Sequence, residues 1–166
     1  MGFSAALSAY RQMLEATSNP TEATLRDRFL QFLREGFPYL AEPKAILLEE
    51  KVPSLEVRGR LDALLGKIII EFKRDLTDEA SRRKGEDQLK SYLTHTPEAS
   101  LGLLTDGRQL IAYALRDGVL QRLSTLNLLT ESDPLRVQNW LDAFLFSQPK
   151  QKHRRYLGRN TGAGVP

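Results

Sequence analysis

GRLDALLGKIIIEFKR, running from Gly59 to Arg74, has the pattern of a β-hairpin around which this 166-residue chain is organised. Side chains on a β-strand alternate between faces with period two. Arg60, Asp62 and Leu64 therefore share one face of a first strand, with Leu61, Ala63 and Leu65 on the other. In the second strand Ile69, Glu71 and Lys73 alternate with Ile68, Ile70 and Phe72. Gly66 and Lys67 suit the central pair of a two-residue turn, glycine in the first central position being what a type II′ turn requires. Leu65 then pairs with Ile68 and Asp62 lies opposite Glu71, which puts Asp62, Glu71 and Lys73 on one face of a hairpin with an apolar face behind.

Two carboxylates side by side repel and destabilise a strand pair. A hard divalent cation between them removes that penalty, and Mg²⁺ typically takes one or two protein carboxylates together with water and phosphate oxygens. Lys73 can hold or deprotonate an attacking water, or stabilise charge on a phosphorane. The alternative is a solvated polar face on which Asp62 pairs with Arg60 and Glu71 with Lys73. The chain has no cysteine and only two histidines, His95 and His153. Thiolate and histidine metal sites are thereby disfavoured, and a metal is expected to be held by oxygen.

Length suits one domain with a real core, and 41% hydrophobic with 27% charged residues is ordinary for a globular protein. No apolar run approaches a membrane span and no basic-then-apolar leader opens the chain, so a cytoplasmic location without membrane attachment is expected. The formal charge of +3 misleads, because Lys150, Lys152, Arg154, Arg155 and Arg159 all follow Phe146. Removing these five from the 24 basic residues leaves 19 against 21 acidic, a body charge of −2. Any nucleic-acid affinity of the body must then come from local patches.

Outward from the hairpin, helical periodicity covers Ser4 to Ala16. Asn19-Pro20-Thr21-Glu22 reads as a helix start with Asn19 as cap and Pro20 in the first turn. That helix is expected to reach about Glu35. Glu22 is either a capping-box glutamate or, three residues before Leu25 and seven before Phe29, a carboxylate aimed along the buried stripe. Ala45 to Val52 reads as the first strand. Beyond the hairpin, Asp75 or Thr77 is the expected cap of a helix reaching about Leu93, with Gln88 and Tyr92 on one face and Lys84 a turn earlier on the same side. Arg82, Arg83 and Lys84 are either a solvated surface or phosphate contacts, and contact by at least one of them is expected. Strands follow at Ala99 to Thr105, Gln109 to Leu115 and Val119 to Leu123, with Asp106-Gly107 and Asp117-Gly118 as turns. Asp133-Pro134 opens a last helix with Trp140 in its buried face.

Asp62, followed after nine residues by Glu71-Phe72-Lys73 at the end of a hydrophobic strand, resembles the core motif of the PD-(D/E)XK nuclease superfamily, although Leu61 stands where a proline is usual. Gln88 and Tyr92, beginning fifteen residues past Lys73, are similar to the Q-x-x-x-Y element of one branch of that superfamily. LGLLTDGRQLIAYAL, Leu101 to Leu115, resembles a segment of the N-terminal nuclease domains of type I restriction motor subunits and of fused restriction-modification enzymes. The resemblance covers roughly residues 20–115. It implies an α/β fold of the restriction-endonuclease-like type, with an αβββαβ core and a mixed central sheet flanked by helices. Residues 1–146 would form a single domain with accessory strands and a helix after the core, and residues 147–166 a basic flexible tail or linker.

The resemblance further implies a Mg²⁺-dependent DNA endonuclease, with Mn²⁺ as substitute, in a restriction-type or other DNA-processing system. Asp62, Glu71 and the backbone carbonyl of Phe72 would hold the metal. Lys73 would position the water, Glu22 complete the outer side of the site, and Gln88 orient the phosphate or the lysine. Tyr92, Lys84, Arg60 and Arg83 are the expected DNA contacts, and further domains or subunits of a restriction-modification or helicase assembly are possible partners. Two other readings are a non-cleaving DNA-binding or scaffold module and a stand-alone repair or junction-resolving nuclease. Asp106 is read as a turn aspartate rather than a catalytic one.

Overall fold

The computed structural model describes residues 2–41, 46–48, 63–65 and 68–147. Its ordered elements are α1 (Phe3–Ala16), α2 (Glu22–Gly36), β1 (Ile46–Leu48), β2 (Ala63–Leu65), β3 (Ile68–Phe72), α3 (Glu79–Thr94), β4 (Leu101–Thr105), β5 (Gln109–Arg116), β6 (Val119–Asn127) and α4 (Pro134–Leu141), with a π-helical turn over Asp142–Ser147. The protein is α/β, and the strands form one six-stranded sheet in sequence order. β3 and β4 run parallel, joined through α3, while every other neighbouring pair is antiparallel. Among the described residues no helix is long and apolar enough to cross a membrane.

Within the described residues the hairpin has the expected register. Leu65 is paired with Ile68, Leu64 with Ile69 and Ala63 with Ile70. β3 is buried along its whole length, which explains why IIIEF reads as a nearly continuous apolar run instead of an alternating one. Its two faces meet different partners. Ile68, Ile70 and Phe72 join α1, α2 and α4 in the larger core, which holds Tyr10, Phe29, Phe32, Val137 and Leu141. Ile69 points the other way, into a smaller core with Leu89, Tyr92, Leu104, Ile111 and Tyr113.

Several boundaries differ from the sequence reading. Thr21, not Asn19, caps α2, its side chain accepting from the Thr24 N–H. Asn19 instead takes a left-handed backbone with φ 44°, a conformation asparagine tolerates better than most residues. Pro20 therefore precedes the cap, and Glu22 is the first helical residue rather than the third after a cap. Asp78 caps α3 through the Ser81 N–H, because Asp75 is already committed to the N–H and hydroxyl of Thr77. β6 continues to Asn127, four residues beyond the expected end, alongside β5. The Asp117-Gly118 turn has positive φ at both positions, as a type I′ hairpin requires. Trp140 is only half-buried and donates from Nε1 to Ser124 Oγ at 2.9 Å.

Candidate active site

β3 ends in Glu71-Phe72-Lys73, and its alternation sends Phe72 into the larger core while Glu71 and Lys73 follow Ile69 towards α3. There Lys73 Nζ lies 3.2 Å from Glu71 Oε2, with the two side chains 8% and 3% exposed. The backbone under the lysine is fixed, since Lys73 N–H donates to Thr105 C=O at 2.9 Å. A pair of charges this far from water carries a desolvation cost of several kcal/mol per ion in real proteins. Such burial is uncommon for lysine and glutamate unless they are paired or functional.

α3 closes over this pair at Gly85. A Cβ built there would stand 2.6 Å from Leu104 Cδ1 and 3.1 Å from Lys73 Cγ. Only a residue without a side chain lets the helix come this near the lysine stem. The requirement for glycine arises from contacts with residues 73 and 104, and no local pattern announces it.

Gln88, one turn further along α3, is half-buried, and its Oε1 is enclosed with no hydrogen-bond partner among the described residues. Arg82 Nε is in the same situation. Tyr92, a turn beyond Gln88, is buried in the smaller core. The helix face towards the sheet thus carries Gly85, Leu89 and Tyr92, and Lys84 stands exposed outside it, contrary to the stripe read from sequence. Arg83 is also exposed and pairs with Glu79 at 2.7 Å.

Glu22 is exposed at the start of α2 rather than aimed along the buried stripe, which consists of Leu25, Phe29, Leu30, Phe32 and Leu33. α2 packs on the sheet face opposite to Glu71 and Lys73, and the structure does not bring Glu22 to them. Asp62 and Arg60 lie outside the described residues. So do the expected basic tail from residue 148 onward and most of the expected first strand.

Of the expected metal donors the structure therefore shows Glu71 and the Phe72 backbone. Both are hard oxygen donors, the kind Mg²⁺ prefers. Among the described residues no group of three acidic or histidine side chains is assembled for a metal, and the other expected donor, Asp62, lies outside them.

Asp106 is not part of this chemistry. It is 3% exposed, and both carboxylate oxygens serve backbone N–H groups: Oδ1 accepts from Arg108 and Gln109, and Oδ2 accepts from Leu76, all at 2.9 Å. A second polar cluster lies further along the α3 face. Tyr113 donates to Glu86 Oε2 at 2.6 Å, and Arg122 sits 3.4 Å from the same oxygen. Burial, followed by the bond to Glu86, pushes the Tyr113 hydroxyl well above its ordinary pKa.

Comparison of the chain with models of known protein families, with curated proteins and with solved structures gave no match.

Proposed function

We propose that this chain is a Mg²⁺-dependent DNA endonuclease domain with a restriction-endonuclease-like core, working in a restriction-type or other DNA-processing system. The observation that carries the reading is the buried Glu71–Lys73 pair at the end of the parallel-paired strand β3. Ligands in open α/β sheets bind outside the carboxyl ends of strands, and a glutamate and lysine two residues apart on one face put an acceptor and a proton donor at that rim. The order of elements from α2 to β4, helix, three strands, helix, strand, is the order the αβββαβ resemblance implies.

Asp62, Glu71 and the Phe72 carbonyl would hold the cation. When bound, Mg²⁺ lowers the pKa of a coordinated water and offsets charge on the pentacovalent transition state. Lys73, freed from part of its bond to Glu71, orients the attacking water and donates to a non-bridging phosphate oxygen. Gln88 offers its enclosed Oε1 to the Lys73 ammonium, or its amide N–H to the phosphate. Tyr92 supports that face by packing.

The test is nicking of supercoiled plasmid by the full chain in Mg²⁺ or Mn²⁺, with EDTA as control. Wild type is expected to cut, while Lys73→Ala and Asp62→Ala, folded by circular dichroism, lose cleavage by at least about 100-fold, the lower end of what a positioned proton-transfer group supplies. Retained cutting in both variants would defeat the proposal.

A further inference from the structure

A second feature lies at the same end of the sheet but on the side of the α1–α2 connection. A cleft of about 550 Å³ opens there, lined by Thr17, Asn19, Pro20, Arg74, Asp75 and Arg108. Arg74 is exposed and Arg108 half-buried. Neither guanidinium has a hydrogen-bond or ion-pair partner among the described residues, although the backbone beneath each is tightly fixed. Arg108 donates its N–H to Asp106 Oδ1 and accepts from the Leu128 N–H at 2.7 Å. Arg74 stands between Lys73, whose N–H is held by Thr105, and Leu76, whose N–H is held by Asp106 Oδ2. The two carboxylate oxygens of Asp106 therefore tie together the two loops that carry the arginines, 34 residues apart in sequence.

Charge narrows the ligand. Two arginines and Asp75 leave the lining with a net +1, which matches the single charge of a phosphodiester and would leave a phosphate-monoester dianion half uncompensated. The Asp75 Oδ1 is taken up by its own loop, accepting from the Thr77 N–H and hydroxyl at 2.9 and 2.6 Å. Those bonds first, and the nearby Arg108 more weakly, hold its carboxyl below the usual range. The half-buried Arg108 is pre-set by its backbone, and arginine's planar fork suits two oxygens of one phosphate.

We propose that this cleft binds a backbone phosphodiester of DNA, with Arg74 and Arg108 as the phosphate contacts and Asp106 as the residue that positions them. The assignment of DNA as ligand rests on the endonuclease reading above. Because Arg74 directly follows Lys73, a strand lying across the rim of β3 meets the cleft next to the Glu71–Lys73 pair.

The experiment is fluorescence anisotropy of a labelled duplex with the full chain in EDTA, titrated with salt between about 50 and 200 mM, the range over which phosphate contacts dominate affinity. Arg74→Ala with Arg108→Ala is expected to flatten the plot of log affinity against log salt by roughly 0.9, the loss of one neutralised phosphate. Asp75→Asn, which keeps an oxygen for Thr77 but removes the opposing charge, tightens binding. Asp106→Asn weakens binding in the wild-type background and has no further effect in the double-arginine variant, a non-additivity that a merely structural role would not produce.

An unchanged salt slope in the folded double-arginine variant overturns the assignment, and plasmid cutting by the wild type would then leave the endonuclease reading standing. Arginine-dependent binding by a wild type that cuts nothing supports the cleft and defeats the nuclease. A wild type that binds no duplex overturns both.

Discussion

The two faces of the sheet are built on opposite terms. The face under α1, α2 and α4 is closed by aromatic and aliphatic packing, with Tyr10 stacked on Phe32 at 4.8 Å and Phe29 edge-on to Phe72 at 5.8 Å. The face under α3 has the smaller apolar core, and the buried charges of Glu71 and Lys73 lie on that side. β3 belongs to both, with Ile68, Ile70 and Phe72 turned one way and Ile69, Glu71 and Lys73 the other. The molecule accommodates its unfavourable polar cluster across a strand whose reverse side is anchored by the larger core.

Phe72 is the anchor of β3 on the side of the larger core. Phe72→Ala should lower unfolding free energy by about 3–5 kcal/mol, the usual cost of an aromatic-to-alanine change in a core, read as the shift in urea midpoint. Next comes the charged side. Lys73→Met removes the cation that lies 3.2 Å from the buried Glu71 carboxylate and should cost about 3–5 kcal/mol. Adding Glu71→Gln should recover most of that loss without restoring cleavage, which separates the stability of the pair from its chemistry. Failure of the second change to recover stability would mean that the pair is held by more than its own charges.

Gly85→Ala tests the closeness of α3 to the sheet. The added methyl meets Leu104 and Lys73, and overpacking of about 1–3 kcal/mol outweighs a helix-propensity gain of about 1 kcal/mol. Because the lysine stem must shift, cleavage should fall more than the melting temperature suggests.

The smallest expected effect concerns pH. Tyr113 has a pKa raised above its ordinary value of 10.0, so the folded state holds the proton more tightly than the unfolded chain does. Its contribution to stability is complete below pH 10 and declines as pH rises beyond it. Tyr113→Phe should accordingly flatten the fall of melting temperature above about pH 10, where an ordinary tyrosine loses its proton.

The charged side was legible because its essentials are local. Reading Gly66-Lys67 as a two-residue turn predicts that Leu65 pairs with Ile68, as the described strands do, and the Glu71-x-Lys73 spacing predicts that both side chains share a face. The order of helices and strands was equally readable from periodicity. Cap positions were less so, because several oxygen-bearing residues compete at each helix start. Asp75 and Thr77 are the expected caps for α3, but the two bond to each other and the cap falls on Asp78. The placement of Glu22 required knowing that Thr21 caps the helix, which makes Glu22 its first residue, exposed beyond the buried stripe that starts at Leu25. What lay beyond local reading were meetings at long range: Gly85 over Lys73, the arginines of the cleft, and the shared service of Asp106. Each depends on how β3, α3 and the β4–β5 turn come together, and no spacing rule encodes that.

Asp106 also has a consequence for the order in which the chain takes shape. The Leu76 N–H finds its acceptor 30 residues later, so during synthesis the loop after β3 stays unsatisfied until the turn at Asp106-Gly107 has emerged and closed. Tyr10, whose hydroxyl donates to Gly107 C=O, must wait even longer. Amide exchange at Leu76 should therefore follow the opening of the β4–β5 hairpin instead of the fraying of α3, making one backbone proton a reporter for the cooperative closure of three distant segments.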